Sequence, residues 1–228
     1  MGATKIMVIR HAERPDTYYE GKQFYAANPA GDAAGKQFYG VNPAGDAAGK
    51  DGRKHLITLG WQRAGALVPL FAEPWRPADG LATPDHLFAS DPEIDSNIDD
   101  VAGPSQRPCE TLMPIAAKLG KKIDTSYTKD EYGRMVAKAL GKKGVVLIAW
   151  QHEDIPLQNK AGKRGISQEI LDQTGTPLGD FEIPKNWPKG PKGARYDLVF
   201  VFDRPSGEGR IQKFSLVGQM LLVGDAKP

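Results

Sequence analysis

A chain of 228 residues, 40% of them hydrophobic, is long enough to bury a core within one α/β domain. Thirty basic against twenty-eight acidic residues leave a formal charge of +2, too weak a field to mark a nucleic-acid or anionic-membrane partner. The single cysteine, Cys109, excludes an intramolecular disulfide and suits a reducing compartment, and no apolar stretch reaches membrane-spanning length.

In chain order, Ile6 to Ile9 reads as a first strand. Because it begins almost at Met1, no signal peptide is expected and the expected location is the cytoplasm. Thr58 can cap a helix whose apolar positions Trp61, Ala64, Leu67 and Phe71 recur at near-helical spacing, with Pro69 expected to kink or end it. Leu87 to Ala89 is a short second strand. Leu112, Ile115, Ala116 and Leu119 mark one face of a helix that Gly120 can close in the left-handed conformation. Thr128 and Glu131 match a capping box ahead of a helix bearing Tyr132, Val136 and Leu140, which Gly141 can end. Val145 to Trp150 has the continuous apolar character of a strand buried on both faces. Ile166 to Leu171 is a shorter helix. Leu198 to Phe202 and Ile211 to Val217 close the sheet, expected antiparallel through the turn at 205–209. This alternation predicts three layers: a mostly parallel central sheet with helices on both faces.

The first strand runs straight into Arg10 and His11. In an open α/β sheet the carboxyl edge of the strands is where ligands bind. A guanidinium offers paired N–H donors that match phosphate oxygens. Its positive field also disfavours imidazolium, keeping the neighbouring ring neutral enough to act as a nucleophile. The Val145 to Trp150 strand likewise ends close to a histidine, His152, followed by Glu153, Asp154, Ile155 and Pro156. Arg107 stands at a helix start, where the positive end of the helix favours an anion. His55 and His86 have no such company and read as structural or surface residues, and no metal-ligand spacing links the four histidines. Cys109 lies in the Arg107 helix start without an activating pattern and reads as a structural thiol.

From Lys5 to Asp203, apart from a long insertion, the order of these features resembles the histidine phosphatase superfamily, also called the phosphoglycerate mutase-like family. The residues that carry the resemblance are Arg10-His11-Ala12-Glu13 after the first strand, the helix start around Leu56 to Gly60, Arg107 four residues before Thr111, and His152 after the late strand. Together with Trp187-Pro188 before an apolar strand, they look most like a subgroup of unassigned specificity. The resemblance implies a phosphohydrolase acting on a small phosphate monoester. His11 would form a phosphohistidine, with Arg10, Arg107 and His152 around the non-bridging oxygens, and no cofactor is implied. The proton donor stays open: Glu153 comes first because it follows His152 as the acid does in the acid phosphatase branch, and Asp154 second. Glu131 has a capping role to fill, and Glu13 could orient Arg10 or Arg107. A different class of function, a phospho-ligand binding or scaffold protein that keeps the anion pocket without turnover, fits the same residues.

The insertion, at about 16–54, contains a duplication: residues 22–35 recur as 36–49 with two changes, Ala26 to Gly40 and Ala27 to Val41. Two copies of fourteen residues are too few and too short for a solenoid. The segment reads as a lid over His11 or as a solvent-exposed excursion. A second break, 91–103, carries five acidic residues and separates Ser90 from Ser105; by the resemblance, this alters the pocket wall. The Pro-rich stretch 183–192 either wraps toward the pocket or covers the sheet. Lysines and aromatic residues are not interleaved along any one segment, so a nucleic-acid partner is not expected. Nothing in the pattern sets an oligomeric state.

Overall fold

The computed structural model describes residues 1–14, 17–19, 22–24, 55–72, 80–93, 105–190 and 193–228. In chain order the strands and helices are β1 (Ala3–Arg10), β2 (Thr17–Tyr19), β3 (Lys22–Phe24), α1 (Thr58–Phe71), β4 (His86–Ser90), α2 (Arg107–Leu119), β5 (Ile123–Tyr127) and α3 (Tyr132–Leu140). There follow β6 (Gly144–Trp150), α4 (Ile166–Gln173), β7 (Lys189–Gly190), β8 (Gly193–Ala194), β9 (Leu198–Asp203) and β10 (Lys213–Gly218). Apart from the β2–β3 pairing, the duplicated segment and the lid reading attached to it lie outside the described residues, as does most of the acidic stretch after Asp91.

Six strands form the central sheet in the order β10-β9-β1-β6-β4-β5. β1, β6, β4 and β5 pair in parallel, while β9 lies antiparallel between β1 and β10. Strand period two divides the apolar residues between the faces. Ile6, Val8, Val146, Ile148, Phe200 and Phe202 pack with Met135, Val136, Ile166 and Ile170 of α3 and α4. Met7, Ile9, Leu147, Ala149, Val199 and Val201 pack instead with Leu67, Leu70, Leu112 and Ile115 of α1 and α2. The result is an α/β three-layer sandwich with a mostly parallel sheet and helices on both faces. It fits burial of successive residues along β1, β6 and β9, which an amphipathic strand would not show.

Local chemistry shifts several boundaries. Ile57 is the N-cap of α1 without a side-chain cap, so Thr58 is the first helical residue. Pro69 does not end α1 at once: the helix runs two residues further, to Phe71. Gly120, at φ 63°, stops α2 in the left-handed conformation. The capping box before α3 is one-sided. Glu131 is itself the N-cap, and its Oε2 accepts from both the Thr128 N–H at 3.1 Å and the Thr128 hydroxyl at 3.2 Å, while the Glu131 N–H donates to the Thr128 carbonyl.

Because the parallel strands point the same way, the residues after β1, β4 and β6 emerge at one edge. The antiparallel β9 brings its entry, residues 195–197, to that same edge, and β10 brings its exit. α1 seats directly on the loop after β1: the Ile57 N–H donates to the Glu13 carbonyl at 3.1 Å, and a Cβ at Gly60 would stand 2.4 Å from that same oxygen. Gly60→Ala is therefore expected to destabilise the protein by about 1–3 kcal/mol, the usual cost of forced overpacking. Urea unfolding measures it, and an unchanged midpoint would show that α1 is free to shift away.

Candidate active site

His11 is buried at the exit of β1 and fixed at both ends. Its N–H donates to the Trp150 carbonyl at 3.0 Å, extending the β1–β6 ladder by one residue. Its Nδ1 lies 2.7 Å from the Ala12 carbonyl. Since a carbonyl only accepts, Nδ1 carries the proton and Nε2 of the neutral ring keeps its lone pair. Burial, then the charges of Arg107 and Arg10, hold the imidazole well below the ordinary histidine range, against the opposing pull of the Ala12 carbonyl. His11 is thus a neutral imidazole at neutral pH.

Arg10 is buried and its charge is disfavoured chiefly by desolvation. Its Nη1 donates to the Arg195 carbonyl at 2.9 Å, its guanidinium lies 3.8 Å from the centroid of the Tyr196 ring, and its buried Nε–H has no partner among the described residues. The Tyr196 ring also lies 6.2 Å from that of His11. Arg107 opens α2, donates through Nε to the Ser105 hydroxyl at 2.9 Å, and is pulled down to about 10 by burial and then by Arg14. The helix is tied to the loop after β1 by Thr111, whose hydroxyl donates to the Arg107 carbonyl at 2.7 Å and accepts from the Ala12 N–H at 2.8 Å. One turn of helix thereby sets the height of Arg107 against His11. Glu110 secures the other flank, accepting from the Leu56 N–H at 2.8 Å and pairing with His55.

His152 opens a short 3-10 turn, 152–154, after β6. Its Nδ1 lies 2.8 Å from Glu153 Oε2, in a direction outside hydrogen-bond geometry, and its ring meets Trp187 edge-on with centroids 6.2 Å apart. Burial lowers the affinity of His152 for a proton. Beside that ring, the Glu153 carboxyl is held down to about 2, and its field reaches both Arg10 and Arg107. Arg10, His11, Arg107, His152 and Glu153, five residues from three separated stretches of sequence, form one electrostatic neighbourhood.

Asp154 belongs elsewhere. It is buried toward Tyr132, Asn159, Asp130 and Lys129, and burial followed by the Glu153 charge raises it to about 7. Glu13 does not orient Arg10 or Arg107. It pairs with Arg63, whose Nε lies 2.9 Å and Nη2 2.8 Å from Glu13 Oε1. Arg63 simultaneously grips Asp225 through two bonds, at 2.7 and 3.0 Å. These two carboxylates overcome the burial of Arg63 and raise its affinity for the proton. Glu131 is occupied with Thr128 and Arg134. His86 is an exposed partner of the Lys143 carbonyl. From α2 the half-buried Cys109 packs against the core, and burial pushes its thiol pKa up, against thiolate chemistry.

Sequence reasoning passed over Arg14, whose charge bears on Arg10, Arg107 and His152, and over Arg195 and Tyr196. The signal for Arg14 was its place three residues after His11. That for 195–196 was a pair of polar residues entering a strand expected to run antiparallel. The two alternatives for the Pro-rich stretch are not exclusive: Trp187 stacks on Phe200 of β9 with centroids 5.5 Å apart and also meets the His152 ring. Among the described residues, no cluster of three or more His, Cys, Asp or Glu side chains could hold a metal ion, and no helix is long and apolar enough to cross a membrane.

No family model and no curated protein matches the chain. Among solved structures, SixA from Agrobacterium tumefaciens, assigned as a phosphohistidine phosphatase, overlaps it at 15% identity and TM-score 0.39, over 93% of this chain and 97% of that one. A mycobacterial glucosyl-3-phosphoglycerate phosphatase solved with inorganic phosphate overlaps it at 10% identity and TM-score 0.39, over 98% of each chain. Likeness at this level carries no weight for family or activity.

The Asp154 shift has a definite consequence for stability. An acid with an ordinary value of 3.8 that is raised to about 7 stabilises the folded state below its unfolded pKa, and that stability is lost as pH rises toward 7. Asp154→Asn, neutral at every pH, is expected to melt higher than the parent at pH 8 and to lose that advantage near pH 4. Parallel Tm profiles across this range would show that Asp154 is ionised in the fold.

Proposed function

We propose that the protein is a phosphohydrolase that cleaves a small phosphate monoester through a phosphohistidine on His11. One observation carries this reading above the others: an imidazole with Nδ1–H committed to the Ala12 carbonyl is kept neutral by burial and then by two guanidinium groups beside it. Cations that merely paired with a carboxylate would not need an unprotonated ring nitrogen among them. A phosphoryl group gives every member of the cluster a role. Its oxygens match Arg10 and Arg107, and the electrophilic phosphorus matches Nε2 of His11.

In the reaction so drawn, the Nε2 lone pair forms the P–N bond as the bond from phosphorus to the leaving oxygen breaks. Arg10, Arg107 and the His152 ring stabilise the equatorial oxygens, contacts typically worth about 3 kcal/mol each in the transition state. Glu153, at about 2, is a carboxylate in the resting site, so the proton for the leaving oxygen enters with the substrate. A phosphate monoanion can supply it, since the second phosphate pKa is about 6. Glu153 takes that proton and passes it to the departing alkoxide. In the second step water attacks the phosphohistidine and gives its proton to Glu153 as the P–N bond breaks; Glu153 returns that proton to the phosphate, which leaves as the monoanion with His11 neutral and Glu153 ionised again.

Three outcomes follow for hydrolysis. His11→Ala abolishes turnover of every ester. In a single turnover, Glu153→Gln lowers the rate of alcohol release from an alkyl phosphate by about 10²–10⁴ but spares release of p-nitrophenol from p-nitrophenyl phosphate, whose leaving group needs no proton; equal losses in this first step would remove Glu153 as the acid. Activity persists as pH falls below 6.5, where an ordinary imidazole nucleophile would protonate, because His11 is held well below that value. A wild-type protein that binds phosphate but turns over no ester from pH 4 to 8 would instead be a phospho-ligand binding protein.

A further inference from the structure

The buried Arg10 is held from behind by a single stretch of chain, and that stretch is itself clamped by residues far from the pocket. The Arg195 carbonyl accepts Nη1 of Arg10 at 2.9 Å and the Trp187 indole N–H at 3.0 Å, while the next residue lays the Tyr196 ring over the Arg10 guanidinium. The Arg195 side chain points the other way and is also buried. It forms a two-pronged pair with Asp197, both bonds at 2.8 Å, and donates to the carbonyls of Ala226 at 2.6 Å and Lys227 at 3.2 Å. Asp197 in turn accepts the Ala226 N–H at 2.9 Å, and its carbonyl accepts the Gln219 N–H at 2.7 Å. These bonds converge on the residue whose carbonyl holds Arg10.

We infer that Arg195 is a positioning residue for Arg10 and that residues 226–227 act through it, so that the segment after β10 tunes phosphoryl transfer without touching substrate. The inference rests on the phosphohydrolase reading. Arg10 works by meeting charge that develops on the phosphoryl oxygens, and such a contact depends on placement to a fraction of an ångström. A guanidinium whose carbonyl anchor drifts still attracts the ground-state anion through its charge, but fits the transition state less well. The expected signature is a fall in kcat with little change in KM. A second connection, Asp225 through Arg63 to Glu13, buttresses the loop on the other side of His11. It survives if only the last three residues are removed, so the two routes can be tested separately.

The experiment compares the full chain with a chain ending at Asp225, each with Arg10 or with Arg10→Lys, by thermal unfolding, by p-nitrophenyl phosphate kinetics and by the affinity for inorganic phosphate. With Arg10 present, removing 226–228 is expected to lower kcat roughly tenfold while KM moves less than about twofold. In the Arg10→Lys background the same removal costs little, because the two changes act on one contact. Arg195→Lys in the full chain, which keeps the charge but loses the fork, gives an intermediate loss and serves where the shortened chain does not fold. A lower Tm with unchanged kcat, or equal losses in both Arg10 backgrounds, would overturn the inference and leave the segment a purely structural clamp. If the wild-type protein neither hydrolyses the ester nor binds phosphate, the phosphohydrolase reading itself falls, and this inference with it.

Discussion

The site turns on a neutral imidazole placed between cations. Burying Arg10 and His11 side by side where β1 ends is costly, since a desolvated guanidinium and a desolvated ring both lose hydration. The fold meets that cost with fixed backbone acceptors. Carbonyls at 195 and 12 take the Arg10 Nη1–H and the His11 Nδ1–H, and neither acceptor carries a charge that would draw a proton back onto the ring. An aspartate in place of the Ala12 carbonyl would raise the His11 pKa and fill its pocket with an ion pair. The use of dipoles in place of carboxylates keeps the cluster cationic and the ring nitrogen unprotonated.

Carboxylates are present nearby, and they are kept busy. Glu13, two residues beyond His11, is bound to Arg63. Glu110, in the first turn of α2, is bound to Leu56 and His55. Asp197, two residues from the Arg10 anchor, is bound to Arg195. Each of these acids spends its charge on a partner in the scaffold. Glu153 is the exception. It lies against His152 and within the field of both arginines, the position from which the proposed reaction would have it carry a proton.

Much of this was legible in the sequence, for physical reasons that differ by element. β1, β6 and β9 are continuous apolar runs because both their faces are covered, and Arg10, His11 and His152 could be placed at one edge because parallel strands must end together. β5 was not foreseen: Ile123-Asp124-Thr125-Ser126-Tyr127 is an edge strand, half-exposed along its length, and carries no apolar run. The partner of Glu13 was invisible for another reason. Arg63 lies fifty residues on and meets it only because Gly60 lets α1 press against the Glu13 carbonyl. Local pattern names the residues of the pocket, but contacts between distant loops decide which acids are left to act in it.

The position of β9 explains why the supporting residues escaped a motif-based reading while Arg10, His11 and His152 did not. Residues at the exits of parallel strands follow an apolar run and advertise themselves as strand-then-polar junctions. Arg195 and Tyr196 precede an apolar run, a position that in an all-parallel sheet would lie at the opposite edge, far from any ligand. Only the reversal of β9 between β1 and β10 turns an entry into a neighbour of the exits, and it places the backbone of 195 alongside the end of β1, where a carbonyl can reach the Arg10 guanidinium. The antiparallel strand in this sheet is therefore a functional part of the site's geometry: reversed again, it would leave Arg10 without its anchor and the segment after β10 with nothing to clamp.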